Sequence, residues 1–316
     1  MILKYLGRRL LLTIPVLFGI TLLAFLLGVL SPGNPAEIAL SGGGEYAVTE
    51  KQISSIEEEM GLDKSYPAQY LSWIRGVLKG DWGTSFRTKK PVRDELFSRF
   101  GITLKLAVCA IFLTVAVGIS LGILGAARRG RFIDKAGQGL SVLFLSIPSF
   151  WAAILLIHIF SERLHLLPTS GQDSWRHMVL PVIALSLNTT GTTIRLMRSS
   201  MLGELGKQYI TAARGKGISE RIVFLKHALI NSLAPVVTLL GNYLGGILGG
   251  VVVVESVFAI NGIGKFALDS IAVRDYPALQ GYVLITGTAF VIIHMLVDLI
   301  CYFLNPQIRL GEGETV

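Results

Sequence analysis

ELGKQYITAARGKGISERIVFLKHALINSLAP, residues 204–235, is a polar and basic island between two apolar runs, each long enough to cross a membrane. From Arg195 through Lys226 there are seven basic side chains, Arg195, Arg198, Lys207, Arg214, Lys216, Arg221 and Lys226, against two acids, Glu204 and Glu220. An excess of cations in a short connection marks the cytoplasmic side of a membrane protein. The island is therefore expected in the cytoplasm, positioned for another molecule to read.

Outward from the island, the chain has the composition of a bilayer protein. Its 316 residues are 52% hydrophobic and only 16% charged, with a mean hydropathy of +0.61, too apolar for a soluble chain of that length. Much of the net charge of +8 falls in short segments between apolar runs, which suits membrane topology and contact with anionic lipid, and argues against nucleic acid as a partner. Cys109 and Cys301 sit inside apolar runs without metal-ligand spacing and read as small buried hydrophobes.

The apolar runs define an all-α membrane protein of six transmembrane helices. Residues 1–30 are an N-terminal tail and a first helix; the run is about 20 residues, enough for a ~30 Å core, and is followed by no signal-cleavage pattern. Residues 31–101 form an extracytoplasmic segment with a Gly42-Gly43-Gly44 turn, a short helix from Glu50 to Met60 with Thr49 as N-cap, and Trp73, Trp82 and Phe86 as packing anchors. Residues 102–303 form a five-helix core with spans expected at 102–127, 137–160, 177–196, 233–254 and 278–303. Pro148 should kink the second of these five. Asn188 to Thr193 make the inner half of the next one polar, so it must face protein or water there. Residues 255–277 read as polar and outside, and 304–316 as a cytoplasmic tail. This count places both termini inside, with basic inner turns such as Arg128-Arg129-Gly130-Arg131.

Within the island, residues 203–216 read as one amphipathic helix with Leu205, Tyr209, Ala212 and Ala213 on one face. Gly217 fits the position after the helix that needs a left-handed backbone, and Ser219 can cap a second helix. Two readings of this helix, turn and helix stand on physics alone: an amphipathic helix lying on the membrane, or an elbow whose small residues Ala212, Ala213 and Gly217 let another protein come close.

Thr211-Ala212-Ala213 followed by Arg214-Gly215-Lys216 and Gly217 resembles the E-A-A-x-x-x-G cytoplasmic loop signature of ABC-importer permeases, with Thr211 where Glu is usual. MRSSML at 197–202, HALINSLAP at 227–235, GGVVVVESVFAINGIG at 249–264, RDYPALQG at 274–281, the N-terminal RRLLLTIPVLFGIT and the tail LNPQIRLGEG are similar to the dipeptide, oligopeptide and nickel group of that family. The signature's closing Leu-Pro is absent, and Pro235 comes later instead. The resemblance implies a type I ABC-importer permease fold and a coupling loop at 197–231 in which Tyr209, Thr211, Ala212, Ala213 and Gly217 engage an ATPase. It also implies a second homologous permease, one or two cytoplasmic ATPase subunits and an extracytoplasmic binding protein as partners. The cargo would be a dipeptide, an oligopeptide, nickel or a metal chelate, and ATP and magnesium would belong to the partner subunits, with no cofactor in this chain. Consistent with that division, no G-x-x-x-x-G-K-S/T is present: Gly264-Lys265 is followed by Phe266, and residue 259 is Ala.

Gly241, Gly245 and Gly249, and Gly246 and Gly250, repeat small-xxx-small spacing on the fifth span, which suits close packing within the chain or against a second permease. His294 and Asp298 share one face of the sixth span, where an acid needs a partner or water. A structural pair accounts for them; an ion-coupled secondary transporter using Asp298 is the alternative function, and a membrane-embedded enzyme a third without any catalytic motif to support it.

Overall fold

The computed structural model describes residues 2–30, 33–41 and 49–304. The Gly42-Gly43-Gly44 turn and the tail from residue 305 fall outside these. The described residues are helical throughout, apart from loops and one isolated antiparallel bridge, Thr84 to Pro91. In order they form α1 (Ile2–Leu30), α2 (Pro35–Ser41), α3 (Glu50–Met60), α4 (Tyr66–Lys79), α5 (Val92–Ala127, with a π turn at Val115–Ile119), α6 (Phe132–Ser146) and α7 (Ser149–Arg163). Then come α8 (Trp175–Leu205), α9 (Gln208–Gly215), α10 (Glu220–Ile222, a π turn at Val223–Ala228, then Leu229–Gly250), α11 (Val252–Val257), α12 (Ile263–Ala272) and α13 (Tyr276–Leu304).

Among the described residues, four helices are long and apolar enough to cross a membrane: Arg9–Leu30, Val92–Ala127, Glu220–Leu248 and Tyr276–Leu304. The expected third span is instead two helices, α6 and α7, meeting at 99°. Pro148 is the cause: it sits at the N-cap of α7 with an extended backbone, having no amide to continue α6. Counted together they make a fifth apolar span. α8 is as long as the others but carries the polar stretch from Asn188 to Thr193 through its middle.

α8 is the hub, packed on α5, α6, α7 and α10, while α13 joins α10 to α1. Small residues permit the closest approaches around it. A Cβ on Gly122 of α5 would lie 2.6 Å from Met197, so α5 and α8 come together only because that side chain is absent.

The segment before α5 folds as expected in its middle. α3 spans Glu50–Met60, and Gln52 reaches back to accept from the Thr49 amide at 3.1 Å. α5 begins at Val92, ten residues before the expected span, because Val92 and Leu96 are fully buried against Ile263, Phe266 and Ala278. All three anchors pack: Phe86 edge-on to Tyr276, Trp82 against Phe97, and Trp73 beside Phe25 and Tyr70. The cysteines differ from expectation. Cys109 is exposed on α5 and Cys301 partly so, because apolar sequence in a membrane helix does not distinguish a core-facing position from one facing outward.

Candidate functional site: the cytoplasmic elbow and its connections

The island forms a helix, a tight turn and a helix, with boundaries that correct the sequence expectation. Residues 203–216 are not one helix: Gly203 to Leu205 end α8, the chain turns at Gly206 and Lys207, and α9 starts at Gln208. At the other end Gly217 has φ +78°; its amide donates to Arg214 O at 2.9 Å and the next amide, of Ile218, donates to Ala213 O at 3.2 Å. That paired arrangement is a Schellman stop, and it needs a left-handed residue at position 217. Ser219 holds the N-cap position of α10, with its carbonyl accepting from Ile222 and its side chain making no capping bond.

α9 divides its residues between two faces. Ile210 and Ala213 point inward and join Met197, Met201, Val223, Ala228 and Val236 in a buried cluster. Thr211, Ala212 and Tyr209 are exposed, as are Gly215 and Gly217, and a Cβ on either glycine would meet nothing within 4 Å. Ala212 and Ala213 therefore do different work: one is presented outward and the other anchors the elbow. Ile210 is the anchor the sequence reading passed over, although its i, i+3 spacing with Ala213 was visible.

Polar contacts hold the elbow in one shape. Tyr209 Oη donates to Glu204 at 2.7 Å and accepts from Asn231 Nδ2 at 3.2 Å, tying the end of α8 to α10. Desolvation and the adjacent Glu204 carboxylate push the Tyr209 hydroxyl above the ordinary tyrosine value. Arg214 pairs with Glu220 in bidentate fashion, at 2.6 and 3.2 Å, across the Gly217 turn. Beside this pair lies an open cleft lined by Ala126, Ala127, Leu205, Arg221 and Phe224.

About two turns before the elbow, Arg198 of α8 grips Asp134 of α6 through Nε and Nη2. Asp134 is 2% exposed and also accepts from the Gly130 amide at 2.8 Å and from Gln138 at 3.0 Å. Its lone pairs are thus filled by partners on three segments, which is what a buried carboxylate requires. The clamp joins the helix leading into the elbow to the broken helix pair α6 and α7.

The glycines of α10 part company in the same way. A Cβ on Gly241 would lie 2.2 Å from Val297, and one on Gly245 2.5 Å from Phe290, so both seat α13 within the chain. Gly246 is exposed, with nothing within 4 Å. Gly249 and Gly250 close α10, and their surroundings fall outside the described residues. His294 packs its ring on Phe290, with centroids 4.3 Å apart, and Asp298 pairs with Arg9 of α1 at 2.6 Å.

Residues 118–310 match the model of a family described as the binding-protein-dependent transport system inner membrane component, and residues 2–107 match the model of that family's N-terminal part. The chain belongs to this family. Among curated relatives, the permease is 40% identical to the glutathione transport system permease protein GsiC of Pectobacterium atrosepticum, over 97% of this chain and 99% of that one. It is 37% identical to the dipeptide transport system permease protein DppB of Escherichia coli, with the same coverage. Among solved structures, an inward-facing MetNI methionine ABC transporter shares the fold with a TM-score of 0.53 at 18% identity, covering 66% of this chain and 96% of that one.

At the end of the bundle away from the elbow, two acids of the polar segment 255–277 are buried within the chain. Glu255 is fully buried. It accepts from Thr103 Oγ1 at 2.6 Å and from the Lys265 amide at 2.8 Å, while Thr103 accepts from the Ile263 amide, so the pair caps α12. Burial raises the Glu255 carboxyl above the usual carboxylate value, partly offset by these donors. Asp275 is also fully buried; it accepts from Ser85 Oγ and the Arg87 amide, pinning the loop before α5 to the start of α13. Sequence reasoning missed Asp134, Glu255 and Asp275, because each is explained by a partner on another segment.

Proposed function

We propose that this chain is one of two permease subunits of an ATP-driven importer of di- or oligopeptides, and that α9 with its Gly217 turn is the coupling helix received by a cytoplasmic ATPase. The observation that carries the reading is the elbow. It is a short helix stopped by a Schellman turn, anchored inward by Ile210 and Ala213 and braced by Tyr209 and the Arg214–Glu220 pair, with Thr211, Ala212, Gly215 and Gly217 left as a low, open face. Small residues outward and rigid contacts inward suit a part that must transmit displacement to α8 without absorbing it. The glutathione and dipeptide permeases among its relatives favour a peptide cargo.

In this reading the chain crosses the inner membrane six times, with α6 and α7 as one broken span, α8 as another, and both termini in the cytoplasm. ATP and magnesium act in the ATPase subunits, and an extracytoplasmic binding protein delivers peptide on the side of α2 to α4. The test is co-expression with the neighbouring permease, ATPase and binding-protein genes, followed by reconstitution. The complex should take up a labelled di- or tripeptide only with ATP and binding protein. Uptake by this chain alone, driven by an ion gradient, refutes the reading.

A further inference from the structure

We infer that α8 and α10 together form the wall along which the transported peptide passes. The side-chain amides of Asn188 and Asn242 meet the peptide backbone, and the Arg195 guanidinium meets its C-terminal carboxylate. The inference rests on the importer reading above.

Its ground is the orientation of two stripes. α5 backs both helices: Thr190 of α8 donates to Thr114 of α5, and Leu104 of α5 packs in the cluster that holds Leu244 and Leu248 of α10. Turned away from α5, α8 presents Asn188, Thr192 and Arg195 at i, i+4 and i+7, and α10 presents Thr238, Asn242 and Gly246 at i, i+4 and i+8. The flanks of these stripes are occupied. α6 covers one side of α8 through Ser141, which donates to Gly191 O at 2.7 Å, and α13 covers one side of α10 at Gly241 and Gly245. Between them the two helices join directly, Tyr243 Oη donating to Leu185 O. The stripes therefore lie side by side on one surface of the bundle.

Hydrocarbon cannot cover that surface, because it offers no donor or acceptor. Thr192 satisfies its hydroxyl within the helix on Asn188 O, and Thr238, at the edge of the stripe nearest α13, donates to Ala234 O and lies 3.7 Å from Cys301 Sγ. The amides of Asn188 and Asn242 and the guanidinium of Arg195 have no hydrogen-bond or ion-pair partner among the described residues. A primary amide both donates and accepts, matching a peptide group, and an unpaired guanidinium matches the carboxylate that every unmodified peptide carries at its end. A Cβ on Gly246, one turn further along the stripe than Asn242, would meet nothing within 4 Å, so the chain leaves that part of the surface open.

The experiment uses the whole importer in proteoliposomes, on a background of Cys109→Ala and Cys301→Ala. Asn188→Cys and Asn242→Cys should react with a water-soluble methanethiosulfonate reagent and be protected by a free-acid tripeptide with binding protein and ATP, while Ile292→Cys, on an apolar face, should not react. Arg195→Gln should lower uptake of the free-acid tripeptide about tenfold, the loss expected for one charged hydrogen bond, and leave its C-terminally amidated analogue unchanged. Equal loss for both peptides, or no reaction at Asn188→Cys and Asn242→Cys, overturns the wall. So does reaction that appears only after the second permease is dissociated, since a facing chain would then be the occupant. Labelling of Asn188→Cys and Asn242→Cys, together with an importer that carries Asn at both positions and transports neither peptide, refutes the peptide reading instead.

Discussion

Two exposed surfaces of this permease, at similar depth in the bundle, are built from opposite chemistry. On α1 and α13 the outward residues are Leu12, Phe18, Leu23, Ile292, Leu296 and Ile300, about half exposed or more. On α8 and α10 they are Asn188, Arg195, Thr238 and Asn242. Contacts fix the depth: α13 meets α10 through Phe290 at Gly245 and Val297 at Gly241, so Ile292 and Asn242 stand at nearly the same level. Exposure therefore has two meanings here. One surface is finished by lipid, for which an apolar side chain suffices; the other needs donors and acceptors supplied from elsewhere, since an unpaired amide in an apolar medium costs about 1–3 kcal/mol.

The largest expected effect comes from placing the same charge on both surfaces. Ile292→Arg should cost about 2.5–3.5 kcal/mol of insertion and sharply reduce membrane-inserted protein in a fractionation assay. Asn242→Arg should insert normally and lose peptide uptake, and equal insertion defects would erase the distinction between the surfaces. The glycines sharpen it next. Gly241→Leu drives a side chain into Val297 and should destabilise the detergent-solubilised protein by about 1–3 kcal/mol, read as a fall in unfolding temperature, whereas Gly246→Leu should leave that temperature unchanged and slow uptake.

At the elbow, Gly217→Leu meets no neighbour but must adopt φ +78°, a strain of about 1–2 kcal/mol. It should insert normally and retain less ATPase on co-purification; undiminished retention together with undiminished transport removes the coupling assignment. Glu255 gives a pH signature. Its folded carboxyl holds a proton more tightly than the unfolded one, so stability is greatest below the unfolded value and declines as pH rises toward the raised folded value. Glu255→Gln should flatten that decline in thermal unfolding measured across the acidic range. Asp298→Asn should do least, because a pair as exposed as Arg9 and Asp298 is worth about 0–1 kcal/mol. Uptake should persist, and strict dependence on Asp298 with a proton gradient would revive the ion-coupled alternative.

Much of this was legible in the residues. Hydropathy located the long apolar helices, the charge of 195–226 marked a surface segment, Thr49 and Gln52 announced α3, and Gly217 announced the Schellman turn. Each is set by residues within a few positions of one another, through backbone geometry or local hydrogen bonds. The split between Ala212 and Ala213 was not legible, because the break at Gly206 changed the helix on which their faces were counted. The bend at Pro148 was foreseen in kind and not in size, since proline removes an amide but the angle is set by what α6 and α7 pack against.

By itself, then, the sequence determined that this is a helical membrane protein with a basic elbow, where helices can start, and where they must stop. Tertiary structure alone decided the partners of its charges, Asp134 with Arg198, Asp298 with Arg9 and Glu255 with Thr103, and which outward face is apolar and which polar. The physical reason is separation along the chain. Thr103 and Glu255 stand 152 positions apart, and no local rule of propensity or periodicity carries information over that distance. A bilayer also accepts any apolar face, so only packing tells which polar residues turn inward to partners and which remain for a molecule that passes by.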